Sequence, residues 1–157
     1  MNEQPPAELL RRLKPIPTYG EHPITSPHDV VGVDPSGAPL TIEVLGRTAP
    51  VLLLFLSAGC LGCADLWSGL DVIRDALPPD AGLAVVTHDP GREDAGTIAA
   101  LGQSSLGVPL VMSTQAHHDY RVAGPPFLVV SDGSRVRTEG VAWGIEETMR
   151  ATWAALA

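Results

Sequence analysis

The two cysteines of the chain, Cys60 and Cys63, are separated by two residues and are the only thiols among its 157 residues. Thiols at this spacing on the first turn of a helix can close a small disulfide ring, and one of them can become unusually acidic there. Because a thiolate is a strong nucleophile and a neutral thiol a weak one, such a pair can break and form disulfide bonds. The spacing therefore predicts redox chemistry.

The residues around the cysteines predict the elements that position them. Residues 51–57 carry no polar alternation, which is typical of a central strand covered on both faces. Apolar residues then recur at helical spacing until Pro78 and Pro79, which predicts a helix of about four turns that begins at Cys60. The apolar residues of this helix are Leu66, Leu70, Ile73 and Leu77.

The two thiols are expected to have different roles. At a helix start, the positive end of the dipole and the unpaired N–H groups favour the thiolate form of Cys60. Cys63 lies one turn further in and is more shielded. We therefore expect Cys60 to attack a partner and Cys63 to resolve the mixed disulfide, which releases the reduced partner.

The rest of the chain predicts a sheet with helices. Residues 30–44 read as a hairpin about an Asp-Pro-Ser-Gly turn, and a second hairpin turns at Asp132 and Gly133. Further strands are predicted at residues 83–87, 108–112, 127–131 and 135–139, and helices at residues 94–101 and 145–156. His117 and His118 are predicted to lie in a solvated loop. Packing on helices accounts for Trp67 and Trp153, whereas the sequence assigns no role to Trp143.

Composition indicates one soluble domain. A hydrophobic fraction of 45% is enough for a core, and six prolines in residues 1–29 predict an irregular arm ahead of a domain at residues 30–157. The net charge of −8 has the wrong sign for binding nucleic acid or an anionic lipid surface. Without a signal peptide or membrane span, we expect a cytoplasmic monomer. The alternative is an extracytoplasmic location, if an N-terminal anchor is absent from this chain.

Residues 120–127, Tyr-Arg-Val-Ala-Gly-Pro-Pro-Phe, follow the cysteine motif at a distance along the chain. Together with the order of strand, cysteine pair, helix and strand, this segment resembles the thioredoxin fold, whose signature is a Gly-x-Pro with a cis proline opposite the cysteines. The extra helix and strand at residues 94–112, with the hairpin ahead of residue 51, resemble the TlpA-like and ResA-like branch and its methylamine-utilisation relatives. The resemblance covers residues 30–157.

The resemblance implies an α/β thioredoxin-like fold, with a central mixed β-sheet flanked by helices, an N-terminal β-hairpin extension and an inserted helix and strand. It implies a thiol–disulfide oxidoreductase whose partners are protein thiols and disulfides. It also implies Pro126 as the cis proline that faces Cys60. No organic cofactor or metal is implied beyond the redox-active pair itself.

The chain departs from the family pattern where proton acceptors are expected. Thioredoxins place a Trp before the first cysteine and a buried Asp in the central strand, whereas these places hold Gly59 and Leu54. The ResA-like branch has a Glu three residues after the second cysteine, where Leu66 stands here. If the second cysteine needs a base, then Asp65, His88 or water must serve.

Pro125 is the most unusual substitution, because the residue before the cis proline usually offers both its N–H and its C=O to an extended partner segment. A proline has no N–H to donate. We expect partner binding to keep the carbonyl contact and to depend on apolar contacts from Gly59, Leu61 and Phe127.

Two other functions remain open from the sequence. A peroxiredoxin-like thiol peroxidase would carry a Pro and a Thr at fixed places ahead of the attacking cysteine, but Leu53 and Ser57 stand there. A non-enzymatic scaffold could instead hold Cu(I) or Zn(II) by two thiolates and an outside ligand. His117 and His118 are adjacent and lack the separation that zinc sites favour.

Overall fold

The structure is a computed structural model that describes residues 26–103, 105 and 107–156. Its seven strands form one sheet in the order β2-β1-β5-β4-β3-β6-β7. The strands are β1 Val30–Val33, β2 Pro39–Ile42, β3 Val51–Phe55, β4 Gly82–Thr87, β5 Leu110–Met112, β6 Phe127–Ser131 and β7 Val136–Val141. The arm predicted at residues 1–29 falls almost wholly outside the described residues, so the arm and the domain boundary stay predictions.

The strand ahead of the cysteines lies inside the sheet, between β4, to which it is parallel, and β6, to which it is antiparallel. All five residues of β3 are buried. Leu52 and Leu54 pack into the core on one face of the sheet, whereas Val51, Leu53 and Phe55 pack into the core on the other. The prediction of a central strand covered on both faces is confirmed, although the strand ends at Phe55 and not at residue 57.

Five helices accompany the sheet in the described part of the chain. They are α1 Ala64–Ser68, α2 Leu70–Ala76, α3 Ala95–Gly102, α4 Thr114–Asp119 and α5 Ile145–Leu156. Side chains of α1, α2, α3 and α5 join the core that contains Cys63, whereas Ala116 of α4 joins the opposite core. The sheet therefore has helices on both faces.

Both predicted additions to the basic fold are present. The hairpin of β1 and β2 docks on the sheet through β1, where Val33 pairs with Met112 of β5. The inserted helix and strand are α3 and β5, and β5 runs parallel to β4. At the other edge, β7 pairs antiparallel with β6 and begins at Val136, one residue later than predicted.

The prediction of one continuous four-turn helix that begins at Cys60 is wrong. A 3₁₀ turn, Leu61–Cys63, leads into α1, and α1 and α2 are separated at Gly69, whose φ of −107° and ψ of 12° are not helical. A Cβ at Gly69 would lie 2.2 Å from Cδ1 of Ile145. The close approach of Ile145 thus accounts for a glycine at the position where the two helices are separated.

The loop predicted around His117 and His118 is also wrong, because both belong to α4. Ser113 caps this helix by accepting a hydrogen bond from the N–H of Ala116. This cap allows a short helix of low hydrophobicity to form. His117 is buried and stacks on His88 with ring centroids 3.7 Å apart, while His118 is exposed.

Only one of the two tryptophans assigned to packing is fully buried. Trp67 is buried in the core, but Trp153 is 48% exposed and is anchored by its Nε1, which donates to the carbonyl of Ala76. A polar hydrogen bond therefore joins α5 to the end of α2, where an apolar contact was expected.

The buried imidazole of His117 predicts an acid-labile fold. Burial lowers the pKa of His117 to about 4, although its Nδ1 lies 2.9 Å from the carbonyl oxygen of Ser113. A histidine in the unfolded chain has a pKa near 6.5, so the unfolded state takes up the proton first as the pH falls. The contribution of the neutral His117 to the free energy of unfolding is therefore fully present above about pH 6.5 and is lost as the pH falls towards 4. We expect a loss through His117 of about 2 to 3 kcal/mol between pH 7 and pH 4.5.

Urea unfolding at the two pH values measures this loss. His117→Gln, which cannot titrate, should lose correspondingly less stability than the wild type on acidification. His118→Gln is the matched control, because its side chain is exposed, and it should keep the wild-type pH dependence. Equal losses for His117→Gln and the wild type would contradict the assignment.

Candidate active site

The cysteine pair lies just beyond the carboxyl end of β3, in the turn that leads to α1. Cys60 has extended backbone angles, and its carbonyl accepts a hydrogen bond of 3.1 Å from the N–H of Cys63. Both are free thiols. The tight turn therefore brings the second cysteine close to the first.

The two thiols differ sharply in their surroundings. Cys60 is partly exposed, whereas Cys63 is 0% exposed. Burial, and then the hydrogen bond to Cys60, raise the pKa of the Cys63 thiol to about 12, while a hydrogen bond from the backbone of Ser57 acts against both. Cys63 thus holds its proton at neutral pH, although its sulfur already contacts Cys60.

A tryptophan holds the loop between β3 and the cysteines. Trp67 lies on α1, one turn beyond Cys63, and its buried indole donates from Nε1 to the carbonyl of Ser57 at 3.1 Å. Because the backbone of Ser57 also hydrogen-bonds Cys63, Trp67 positions the loop against the buried sulfur.

A proline faces the cysteines from the strand on the other side of the cleft. The Pro125–Pro126 peptide bond is cis, as the resemblance implied. A Cβ placed on Gly62 would lie 3.4 Å from Cδ and Cγ of Pro126 and 4.0 Å from Sγ of Cys60. The prolyl ring therefore packs over Gly62, next to the more exposed sulfur.

Four of the five predicted contact residues beside the sulfur are accessible. Gly59 is exposed, Leu61 is 96% exposed, and Pro125 and Pro126 are partly exposed. Phe127 is only 6% exposed, because it is the first residue of β6 and its ring packs near Phe55 in the core. The side chain of Phe127 therefore offers little surface to a partner, and its contact with a partner stays a prediction.

The predicted proton acceptors lie in different surroundings. Asp65 is exposed at the start of α1. His88 follows β4 and is partly buried, with its Nδ1 3.1 Å from Oγ1 of Thr114 and its ring stacked on His117. Burial, and then the charge of Arg92, lower the pKa of His88.

Sequence reasoning missed Glu93. This residue is partly buried in the turn after β4, where its N–H donates to the carbonyl of Asp89 at 3.0 Å. After the effects of burial and of Cys60, the charge of Glu93 also raises the pKa of Cys63, and it raises the pKa of His88 as well. The signal in the sequence was an acidic residue just past the end of a strand beside β3.

Within residues 26–103, 105 and 107–156, no three His, Cys, Asp or Glu side chains come together in a way that could hold a metal ion. None of the helices in this part of the chain is long and apolar enough to span a lipid bilayer.

Comparison with known proteins finds similarity in structure but not in sequence. No protein-family model matches the chain, and no curated protein matches it. A secreted disulfide oxidoreductase of Mycobacterium tuberculosis, described as homologous to E. coli DsbE, is 18% identical, with a TM-score of 0.63 over 79% of this chain and 94% of that chain. StoA from Bacillus subtilis is 16% identical, with a TM-score of 0.61 over 80% of this chain and 97% of that chain.

A thiol:disulfide interchange protein of the thioredoxin family from Chlorobium tepidum is 14% identical. Its TM-score is 0.65, over 88% of this chain and all of that chain. At these identities the likeness concerns the fold. The chain therefore has the thioredoxin-like fold that its sequence predicted, with the cysteine pair at the end of the central strand.

Proposed function

We propose that the protein is a thiol–disulfide oxidoreductase that exchanges disulfides with protein partners through Cys60 and Cys63 and acts as a monomer. One observation carries the proposal: a partly exposed sulfur lies beside Pro126 and contacts a second sulfur that is fully buried. The exposed sulfur can reach a partner, whereas the buried one can reach only its neighbour. The thioredoxin-like fold of the solved oxidoreductases supports the same assignment.

The chemistry proceeds in two steps that balance. The thiolate of Cys60 attacks a partner disulfide, so that a mixed disulfide forms and one partner thiolate leaves. Cys63 then loses its proton and attacks Cys60, which closes the Cys60–Cys63 disulfide and expels the second partner thiolate. The partner gains two electrons and two protons, and the cysteine pair loses them. The reverse sequence oxidises a partner dithiol.

Deprotonation of Cys63 is the step that needs help, because its pKa of about 12 leaves almost no thiolate at neutral pH. We propose Glu93 as the acceptor. Its negative charge acts on the buried thiol, whereas Asp65 is exposed and His88 is engaged by Thr114 and His117. We keep His88 as a second proposed proton acceptor, since the charge of Glu93 also raises the pKa of His88.

No observation favours the peroxidase or the metal carrier. Leu53, at the place where a peroxidase would need its proline, is fully buried in the core. Tight metal retention without disulfide exchange would support the carrier instead.

The compartment and the direction of electron flow belong to the proposal as well. We retain the cytoplasmic location expected from the sequence, while the secreted M. tuberculosis neighbour supports an extracytoplasmic one. The equilibrium potential of the cysteine pair against glutathione distinguishes the two locations and the two directions of electron flow. A value near about −270 mV, as in thioredoxin, supports a reductant in a reducing compartment, and a value near about −120 mV supports an oxidant.

Serine variants test the assigned roles of the cysteines. Cys60→Ser should reduce the reduction rate of a protein disulfide such as insulin by more than about a hundredfold, because the nucleophile is lost. Cys63→Ser should accumulate a mixed disulfide at Cys60, visible as an added mass that dithiothreitol removes. Thermal unfolding of both variants controls for loss of the fold. A wild-type rate for Cys60→Ser would contradict the proposal.

The release of thionitrobenzoate tests Glu93. Reduced protein should release one equivalent as Cys60 attacks 5,5′-dithiobis(2-nitrobenzoate) and a second as Cys63 resolves the mixed disulfide. If Glu93 accepts the proton, Glu93→Gln should slow the second phase at pH 7 by roughly a hundredfold and leave the first unchanged.

A faster second phase in Glu93→Gln would contradict this role. If Glu93 acts only as a neighbouring charge, its removal lowers the pKa of Cys63, and the second phase becomes faster. Asp65→Asn is the matched control, because it removes an exposed carboxylate close to the cysteines in the chain, and it should release both equivalents at wild-type rates.

A further inference from the structure

An exposed tryptophan lies next to the proline that faces the cysteines. Trp143 is 62% exposed and follows β7 directly after Ala142. The N–H of Ala142 donates to the carbonyl oxygen of Pro126 at 3.1 Å. This bond fixes the backbone that carries Trp143 beside residue 126.

A second exposed apolar side chain belongs to the turn that packs against the same proline. Leu61 stands between the two cysteines and is 96% exposed. Its neighbour Gly62 lies against the ring of Pro126, and a Cβ on Gly62 would be 4.0 Å from the Cys60 sulfur. Leu61 and Trp143 thus each adjoin a residue that contacts Pro126, and together they form what we call the Leu61–Trp143 surface.

The backbone that precedes Cys60 and Pro125 is open to the solvent. Gly59 and Gly124 are exposed, and a Cβ on either would meet no atom within 4 Å. A partner chain can therefore approach the sulfur closely. Single exposed apolar residues are common on protein surfaces, so what distinguishes Leu61 and Trp143 is that both adjoin contacts of the proline next to the reactive sulfur.

The other two tryptophans have structural anchors. Trp67 and Trp153 each donate from Nε1 to a backbone carbonyl, that of Ser57 and that of Ala76. Trp143 differs from the buried Trp67 in exposing most of its ring beside the cleft. Packing does not account for this exposure, whereas contact with a partner would.

We propose that the Leu61–Trp143 surface selects partner segments whose residues on either side of the reacting cysteine are apolar. This inference rests on the proposed function and names its substrate class. Pro125 offers a carbonyl but no N–H to an extended partner, and Phe127 is buried in the core. Side-chain contacts with Leu61 and Trp143 therefore supply the affinity that a second backbone hydrogen bond would otherwise supply.

Two peptide disulfides test the proposal. The probes are the symmetric disulfides of acetyl-Val-Cys-Leu-amide and of acetyl-Ser-Cys-Asn-amide, and the measurement is the second-order rate of their reduction by the reduced protein. We expect the wild type to reduce the apolar disulfide about tenfold faster, which corresponds to about 1.4 kcal/mol. Trp143→Ala should abolish most of this preference and Leu61→Ala should reduce it, each measured as the ratio of the rates with the two disulfides.

The controls are exposed apolar residues outside this surface. Leu45→Ala and Trp153→Ala should keep the wild-type preference, since Leu45 follows β2 and Trp153 contacts the end of α2. Trp143→Gln provides a second variant that keeps a large side chain, and thermal unfolding reports whether each variant is folded. Equal wild-type rates for the two disulfides, or an equal decrease for both in Trp143→Ala, would overturn the inference. Failure of the wild type to reduce either disulfide would overturn the proposed function itself.

Discussion

The structure depends on placing one thiol of a close pair in the core while the other stays within reach of solvent. A 3₁₀ turn of three residues leads from a partly exposed Cys60 to a fully buried Cys63, which is the last residue of the turn. Burial makes the inner thiol a poor acid, and contact with the outer sulfur gives it a single target. The same desolvation therefore sets both the order of the two chemical steps and the need for a proton acceptor.

The rest of the fold supports this arrangement. Strand β3, buried on both faces, fixes where the turn begins, and Trp67 ties the loop at Ser57 to α1. Strand β6 brings Pro126 over Gly62, and β7 returns beside it through the bond from Ala142. Elements distant in the chain thus meet at one cleft. Backbone and indole hydrogen bonds hold these elements together, and exposed apolar side chains face the solvent.

Local patterns in the sequence were sufficient to predict the strands, the hairpins and the position of the cysteine pair after the central strand. They could not reveal contacts made by distant segments. Gly69 leaves room for Ile145 of α5, and the buried His117 stacks on His88. For the same reason Phe127 was expected at the surface, and Trp143 had no assigned role. Glu93 acts on Cys63 only because the turn after β4 lies beside the central strand.

Differential alkylation of the reduced protein tests the central asymmetry most directly. With limiting iodoacetamide at neutral pH, the account predicts that peptide mapping finds the label on Cys60, while Cys63 is labelled at a comparable rate only after unfolding in urea. Equal labelling of the two cysteines in the folded protein would contradict it, because an accessible inner thiol would have neither the raised pKa nor the single target on which the two-step exchange depends.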